Sequence, residues 1–481
     1  MYVNFHNQQK EAKKKIGLLP LCALVISSSI GGGVFGLPSD LARAAAPGPV
    51  IIAWLIVGFG ILMLALSLNN LLLKEPKLEG MFSYAQKGFG PFAGFISGWG
   101  YWLSAWLGNV AFATMMMSAL GYFFPVFKSG QNLPSILLAS VLLWCLTYFV
   151  SQGIEGAAII NMVVTIGKLV PLFVFIVTAI ILFDGQLFTQ AFWDNVGSHF
   201  VVSDVMQQIK NCTMVMMWVF VGIEGASTLS ARAQKKSTAG KATMFGLISL
   251  LAIYMLISIL PYGYLTRTQL ADLHQPALLY VFAQMVGPWG GYLIGIGLIV
   301  SILGAWLSWT MLPAETILLM AKQKLLPKYF GKVNRHNAPT FALVMTAFLV
   351  QGFLFTLLFT SRAYNFAYSL CTASIIVCYI LVAAYQIKYS YQHLNVKGNR
   401  AQLMIGVFAL VFEVVGIWMA GIEYLLLCLI AYLPGIYFYG KARQENGCAV
   451  RLSHKEKLVT GLLTAGALLS VGLMFTGGIS L

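Results

Sequence analysis

Long apolar runs dominate the pattern of hydrophobic and polar positions along the chain, and short polar segments separate them. Most runs reach the length of about 20 residues that carries an α-helix across about 30 Å of hydrocarbon. The pattern therefore predicts an all-α, polytopic membrane protein that forms a single integral membrane domain over residues 1–481. The thirteen predicted spans cover residues 16–43, 49–73, 86–124, 134–151, 157–183, 207–231, 242–265, 288–322, 339–361, 364–387, 400–420, 422–440 and 457–478.

The first and the sixth predicted spans are unusual, because both carry glycine and polar residues near the middle of the membrane. Their sequences there are Ser27-Ser28-Ser29-Ile30-Gly31-Gly32-Gly33 and Val221-Gly222-Ile223-Glu224-Gly225-Ala226-Ser227. Backbone that unwinds at this depth must line a cavity or be buried in protein, since lipid cannot satisfy its hydrogen bonds. Glycine-interrupted helices in matching positions indicate a binding site at the middle of the membrane. Close helix packing is the alternative explanation for such glycines.

The spacing of the two interrupted spans predicts an internal repeat. They lie five spans apart, so we expect an inverted five-plus-five helix repeat with repeat one over residues 16–183 and repeat two over residues 207–387. The helices over residues 400–478 are then accessory. Spans three and eight are both unusually long, and we expect them to be strongly tilted.

Composition and charge narrow the class of protein further. Hydrophobic residues make up 59% of the chain and charged residues only 9%, which excludes a water-soluble domain of this size. The net charge of +15 would suit a nucleic acid partner if it were clustered on a surface. Instead, 24 of the 30 Lys and Arg residues fall in cytoplasmic segments when the N-terminus is placed in the cytoplasm. We therefore predict a cytoplasmic N-terminus, an external C-terminus and no nucleic acid partner.

Cysteine and histidine do not predict a metal or cofactor site. Six of the seven cysteines lie in apolar spans, and none forms a C-x-x-C pair. The six histidines all fall in predicted loops or tails, without a metal-binding spacing such as H-E-x-x-H. We expect no cofactor and no bound metal.

An interrupted helix exposes two backbone ends of opposite partial charge. The N-terminal end of its outer half offers N–H groups to a carboxylate, and the C-terminal end of its inner half offers carbonyl groups to an ammonium. Both ends together suit the backbone of an α-amino acid. The run from Gly31 to Gly33 allows the main chain to approach such a ligand closely.

Two ionisable residues lie near the middle of predicted spans. A carboxylate such as Glu224 costs about 3 kcal/mol there, so we expect it to attract a cationic substrate, carry a proton or connect spans by hydrogen bonds. Lys168 lies midway along span five, where its ammonium cannot easily reach the surface. A buried ion pair is one explanation for Lys168. Glu413 and Glu423 flank a predicted turn and are expected near the outer surface.

This sequence lacks the usual signatures of other classes of membrane protein. An enzyme would need a nucleophile, a metal triad or an acid and base pair within its spans. A receptor would usually carry a sensing domain, and a channel would carry a repeated filter motif or a ring of charges. The two interrupted spans favour a transporter over all three.

Four motifs in order carry a resemblance to a known family. They are Ile30-Gly31-Gly32-Gly33-Val34-Phe35, Tyr101-Trp102-Leu103-Ser104-Ala105-Trp106-Leu107-Gly108-Asn109, Trp218-Val219-Phe220-Val221-Gly222-Ile223-Glu224 and Trp309-Thr310-Met311-Leu312. The sequence resembles the basic amino acid/polyamine antiporters of the amino acid–polyamine–organocation superfamily, and within them it is most similar to the arginine/ornithine antiporters.

The resemblance implies a LeuT-like fold and a multi-pass transporter, not an enzyme, in the cell membrane of a prokaryote. It implies exchange of arginine for ornithine or a related amine by alternating access, with amino acids or amines as small-molecule substrates. The alternative within the family is exchange of an amino acid for its decarboxylated amine, of the arginine/agmatine, agmatine/putrescine, histidine/histamine or tyrosine/tyramine type. A homodimer is also implied.

The resemblance further implies roles for individual residues. Trp218 and Trp309 would flank the aliphatic stem of the substrate, while Ser104 and Asn109 would lie near its charged head group. Lys168 would replace the sodium ion of other relatives. The implied substrate-binding set is Ile30, Gly31, Gly32, Gly33, Tyr101, Ser104, Asn109, Trp218, Val221, Glu224 and Trp309, in which Ile30 and Val221 offer backbone groups and Tyr101 lines the pathway. Many relatives carry a serine in place of Gly32, and this departure puts one contact to the substrate carboxylate in doubt.

Overall fold

The computed structural model describes residues 29–153, 157–193, 200–224, 236–359, 363–447 and 452–476, together with Leu18, Cys22 and Ile26. All regular secondary structure within these ranges is helical, so the prediction of an all-α protein is confirmed. The α-helices, numbered in chain order, are α1 (Leu37–Ala44), α2 (Pro47–Lys74), α3 (Met81–Phe89), α4 (Pro91–Phe123), α5 (Leu133–Ser151), α6 (Ala157–Ile181), α7 (Gly185–Gln190), α8 (Val202–Val219), α9 (Lys236–Ile259), α10 (Arg267–Ala271), α11 (Ala277–Val286), α12 (Pro288–Lys322), α13 (Thr340–Thr356), α14 (Ala363–Gln392), α15 (Asn399–Ala420), α16 (Ile422–Glu445) and α17 (His454–Phe475).

Ten helices within the described ranges are long and apolar enough to cross a membrane. They are α2, α4, α5, α9, α12, α13, α14, α15, α16 and α17, and each coincides with one of the thirteen predicted spans. The other three predicted spans are the first, the fifth and the sixth. The described part of the fifth contributes a shorter apolar segment, Gly167–Ile181, and the first and sixth are interrupted. The chain is thus an all-helical, multi-pass membrane protein.

The first span is interrupted at the predicted place. Ser29 is the last residue described as helical before the break, Ile30 to Gly32 are not helical, and Gly33–Phe35 forms a single 3₁₀ turn. α1 then begins at Leu37, with a proline in its first turn and Asp40 close to its N-terminal end. Both features favour the start of a helix. Ser27 and Ser28 lie outside the described residues.

The sixth span is interrupted in the same way. α8 ends at Val219, and residues 220–223 form turns before Glu224. Gly222 has φ +106, a conformation that a residue with a Cβ rarely adopts. The Val221 N–H donates to the Trp218 carbonyl at 3.0 Å, which closes the turn. The predicted residues Gly225, Ala226 and Ser227 lie outside the described residues.

The two longest helices begin in the same manner. α4 has 33 residues and α12 has 35, and each starts at a proline that follows a glycine with positive φ, Gly90 (φ 95) and Gly287 (φ 89). A short helix, α3 or α11, precedes each glycine. The predicted start of span three at residue 86 is therefore wrong, because Gly90 ends α3 and Pro91 begins a new helix. Both long helices extend about 50 Å, more than the hydrocarbon core alone requires.

α4 lies at the centre of the helix assembly. Its side chains are almost all buried, and it packs against α3, α12 and α14. α17 lies at the periphery, where Leu458, Leu462 and Leu468 are exposed as they would be towards lipid. The Glu413 side chain is fully buried on α15, because α15 packs closely on α2, α8 and α14, whereas Glu423 is exposed. That both residues lie near the outer surface of the membrane stays a prediction.

Candidate functional site

The two interruptions touch each other. An atom at the Cβ position of Gly33 would lie 2.7 Å from Trp218 Nε1 and 3.0 Å from Val219 Cγ1, so no side chain fits there. Tyr254 of α9 connects the same two regions. Its hydroxyl lies 3.0 Å from the Ser29 carbonyl oxygen and 2.9 Å from the Val219 carbonyl oxygen, and it shares its hydrogen between them. One phenol thus holds the ends of both helical segments that precede the breaks.

Side chains from two other helices satisfy carbonyl groups of the first interruption. Lys168 of α6 is 5% exposed, and its ammonium donates to the Ile30 carbonyl oxygen at 3.1 Å. Ser301 of α12 donates to the Gly31 carbonyl oxygen at 3.4 Å. Buried carbonyl groups outside a regular helix need such partners. A carbonyl oxygen has two lone pairs, so the Ile30 oxygen can accept a second hydrogen bond.

Three aromatic rings meet next to the first interruption. The Phe112 ring of α4 lies 5.9 Å from the Trp218 ring and 6.0 Å from the Trp309 ring, between ring centroids. An atom at the Cβ position of Gly31 would lie 3.3 Å from Phe112. Trp218 and Trp309 are both buried, and Trp218 Nε1 has no hydrogen-bond partner among the described residues. The rings suit an aliphatic chain that ends in a cation.

Polar groups of α4 extend the site beyond Trp309. Asn109 donates from Nδ2 to the Trp309 carbonyl oxygen at 3.1 Å, and its Oδ1 is buried without a hydrogen-bond partner in the described ranges. That oxygen is an acceptor to which an amine or guanidinium group can donate. Ser104 lies further along α4, where its Oγ is 3.2 Å from the sulfur of Cys371.

A second polar cluster surrounds the break in the sixth span. Glu224 Oε2 accepts a hydrogen bond from the Tyr379 hydroxyl at 2.8 Å and from the Gly222 N–H at 3.2 Å. Tyr101 of α4 also interacts with this carboxylate. Hydrogen bonds from three parts of the chain therefore hold a carboxylate that is 8% exposed. The side chains described here bring no group of three His, Cys, Asp or Glu residues together as a metal site.

Residues 16–445 match the family described as amino acid permease. This match covers most of the chain. The chain belongs to the amino acid permease family. The resemblance predicted from the four motifs is therefore confirmed, and this permease is a transporter and not an enzyme.

Relatives of the permease match it over nearly its whole length. An arginine/ornithine antiporter of Latilactobacillus sakei is 74% identical over 471 residues, covering 98% of this chain and 99% of that protein. An arginine/ornithine antiporter of Pseudomonas aeruginosa is 39% identical over 483 residues, covering 98% and 100%. An arginine/agmatine antiporter of Chlamydia abortus is 37% identical over 478 residues, covering 97% and 98%.

The structure of the permease divides the predicted site residues into groups. Gly31 and Gly33 adjoin Phe112 and Trp218, the Phe112 ring also contacts Trp309, and Asn109 bonds the Trp309 carbonyl oxygen. Gly32 faces Ile302 and Met115 instead, and Ile30 bonds Lys168. Tyr101 and Glu224 form the second cluster beside Val221. Ser104 contacts Cys371 instead, and an atom at the Cβ position of Gly108 would lie 3.4 Å from both Cys371 and the Trp309 ring.

Sequence reasoning missed Phe112, Tyr254 and Tyr379. Phe112 lies three residues after Asn109, on the same face of α4, so helical spacing could have found it. Tyr254 and Tyr379 lie on α9 and α14, far along the chain from the groups that they contact. No local pattern marks these two tyrosines.

Proposed function

We propose that this permease exchanges arginine for ornithine across a prokaryotic cell membrane by alternating access. The observation that carries the proposal is the 74% identity, over 98% of the chain, to an arginine/ornithine antiporter. Both substrates carry one net positive charge at pH 7, so a one-for-one exchange moves no net charge.

We infer a substrate position from the contacts of the first interruption. The substrate carboxylate would bind at the N-terminal end of the 3₁₀ turn Gly33–Phe35, near Trp218 Nε1, where N–H groups and the helix dipole favour an anion. Backbone carbonyl groups of Ile30 and Val221 would accept from the α-ammonium. The aliphatic stem would pack between Trp218, Phe112 and Trp309.

The head group of the substrate would donate a hydrogen bond to Asn109 Oδ1. Ser104 lies further along α4. Tyr101 and Glu224 would close the pathway on the inner side, with Tyr379 fixing the orientation of the carboxylate. A carboxylate in this position would also attract a cationic substrate.

Lys168 would replace a sodium ion in the permease. Its buried ammonium bonds the Ile30 carbonyl oxygen, and in this way it connects α6 to the interrupted part of the first span. A fixed positive charge at this point would do the structural work of a bound cation without ion coupling.

We also propose the predicted topology. The permease would cross the membrane thirteen times, with a cytoplasmic N-terminus, an external C-terminus and inverted repeats over residues 16–183 and 207–387, followed by accessory helices over 400–478. The paired starts of α4 and α12, each at a Gly-Pro step after a short helix, support the repeat. Family resemblance alone supports a homodimer.

Counterflow in proteoliposomes tests the substrate pair. Vesicles that contain purified protein and internal ornithine receive labelled arginine together with an excess of one unlabelled competitor. We expect unlabelled arginine and ornithine to abolish label uptake, and an imposed membrane potential to leave the rate unchanged. Strong exchange of agmatine for putrescine with arginine inert would contradict the proposal and favour the amine exchangers.

A further inference from the structure

A buried carboxylate lies in the first turn of α1, beyond the 3₁₀ turn that follows the glycine run. The Asp40 side chain is 2% exposed. Its Oδ1 accepts a hydrogen bond from Gln275 Nε2 at 2.9 Å, and Asn365 also lies beside the carboxylate. The second oxygen, Oδ2, has no hydrogen-bond partner in the part of the chain that the structure describes. A buried carboxylate oxygen without a partner is costly, which points to a ligand that completes the site.

Arg43 does not occupy this free oxygen. Its Nη1 lies 3.5 Å from Asp40 Oδ1, and its side chain is 45% exposed. Its Nε and Nη2 donate to the carbonyl oxygens of Ala271 and Leu273 at 2.8 and 3.0 Å. The guanidinium is therefore held by the end of α10 and the residues after it, and Asp40 Oδ2 stays available to another cation.

A second acceptor oxygen points to the same space. An atom at the Cβ position of Gly36 would lie 2.9 Å from Gln275 Oε1 and 3.2 Å from Asp40 Oδ2, with the methyl carbon of Met115 at 3.1 Å. Two oxygens thus face the same side of Gly36, too closely for a methyl group to fit without a shift of neighbouring atoms, and Gln275 Oε1 also accepts from the Ala277 N–H at 3.3 Å. A guanidinium or ammonium group has several N–H donors and suits two acceptors, one of which is charged.

Aromatic side chains connect this space with the central site. The Trp218 ring stacks on the Tyr368 ring at 6.0 Å, and the Tyr368 ring contacts the Tyr364 ring at 5.1 Å. Asp40 interacts electrostatically with both tyrosines. The buried Tyr364 hydroxyl lies beside the Trp218 side chain. Aromatic ring faces attract cations, so rings in this position suit a cationic side chain that passes between the two regions.

We propose that Asp40 and Gln275 form a second, outer subsite that binds the cationic side chain of the substrate before it reaches the space between Trp218 and Trp309. The ligand is the guanidinium of arginine or the side-chain ammonium of ornithine. The inference rests on the proposed exchange and on a cytoplasmic N-terminus, which places α1 in the outer half of the membrane. Substrate arriving from outside meets Asp40 first, and substrate arriving from the cytoplasm meets it last.

The outer subsite predicts an effect on one side of the membrane. In right-side-out vesicles, Asp40→Asn should raise the half-saturating concentration of external arginine about tenfold. The half-saturating concentration of internal ornithine should stay unchanged, because the central site is intact. The asparagine keeps the shape of the side chain and its bond to Gln275. Asp272→Asn is the matched control, since it removes an exposed carboxylate next to α10 and should change neither value.

Gly36→Ala tests the same space without removing the charge. The added Cβ would occupy the position between Gln275 Oε1 and Asp40 Oδ2. The substitution should therefore also weaken the binding of external arginine, but not the binding of internal ornithine. This variant decides the matter if Asp40→Asn fails to accumulate in the membrane, and Asp40→Glu should restore part of the external affinity.

Each result supports or overturns the outer subsite. Unchanged external affinity in Asp40→Asn at native transport rates would overturn it, and so would an equal loss of affinity on both sides, which indicates a structural role. If the unaltered permease fails to exchange arginine for ornithine, the proposed function fails instead. If the unaltered permease exchanges arginine for ornithine but Asp40→Asn changes no affinity, only the outer subsite is wrong.

Discussion

Gly33 shows how closely single residues constrain this site. A Cβ there would meet the Trp218 ring nitrogen at 2.7 Å, so the glycine is needed for contact between the two interrupted spans. The Gly31–Gly33 run and both tryptophans could be predicted, because glycine in the middle of an apolar span is a local signal. Phe112, Tyr254 and Tyr379 could not be recognised with the same ease, since their roles depend on which helices pack together.

At the residue scale, Trp309 should contribute strongly to substrate affinity. Trp309→Ala should weaken arginine binding by about 1–3 kcal/mol, because it removes a large buried contact and a ring face for the cation. Trp309→Phe should retain part of this. Trp289→Ala is the matched control on the same helix, because that side chain is 54% exposed. Unaltered arginine binding in Trp309→Ala, measured by calorimetry at normal protein levels, would remove Trp309 from the site.

Gly32 gives a second prediction at this scale. A serine there could donate to the substrate carboxylate, a gain of about 0.5–1.5 kcal/mol. Its Cβ would however lie only 3.1 Å from Ile302 Cγ1 and 3.2 Å from Cδ1, on a side chain that is fully buried. We therefore expect Gly32→Ser alone to change arginine affinity little, and to tighten it when combined with Ile302→Val. Agmatine has no carboxylate. An equal gain in affinity for agmatine and for arginine in a binding assay would therefore contradict this explanation.

At the scale of elements, apolar length and glycine content predict most of the membrane spans but not every helix boundary. The ten uninterrupted candidate spans follow from apolar length alone, and the paired breaks follow from glycine content. The start of α4 was misplaced because the apolar pattern runs on from α3 across Gly90. A glycine followed by a proline also stands at the start of α12. This shared feature indicates an internal repeat that the hydrophobicity of the sequence alone does not reveal. The burial of Glu413 could not be predicted, because the packing of α15 is not visible in its own sequence.

The bond between α6 and the first interruption leads to a prediction about two elements. Lys168→Ala removes the donor to the Ile30 carbonyl oxygen, so the packing of α6 against the first span should weaken. We expect arginine/ornithine exchange to fall at least about tenfold, while arginine binding stays measurable. Lys210→Ala removes a lysine that lies over the Trp418 ring, outside the site, and should transport normally. Exchange at the native rate by Lys168→Ala would mean that the ammonium does not replace a cation.

At the scale of the whole molecule, the predicted topology includes the last helix, but the family match does not. The match ends at residue 445, before α17, which is largely exposed and lies at the periphery. The family and the transporter class could be read from four short motifs, because those motifs lie at the two breaks and on the two long helices. The side of the membrane that each end faces depends on the charge distribution and on whether α17 crosses the membrane.

Labelling from one side of the membrane tests this topology. A cysteine introduced at Ser480, in a background that lacks the native cysteines, should react with an impermeant thiol reagent added outside intact cells. The expected result follows from the cytoplasmic bias of Lys and Arg and from thirteen crossings. Reaction only after the cytoplasmic face is opened would mean that α17 does not cross the membrane.

In the proposed exchange, the permease carries arginine in one direction only when it carries ornithine in the other. The most direct measurement compares uptake of labelled arginine into proteoliposomes loaded with ornithine and into empty ones, with efflux of labelled ornithine counted in parallel. We expect rapid uptake into loaded vesicles, almost none into empty vesicles, and one ornithine released for each arginine that enters. Equal uptake into empty vesicles, or uptake without ornithine release, would contradict it.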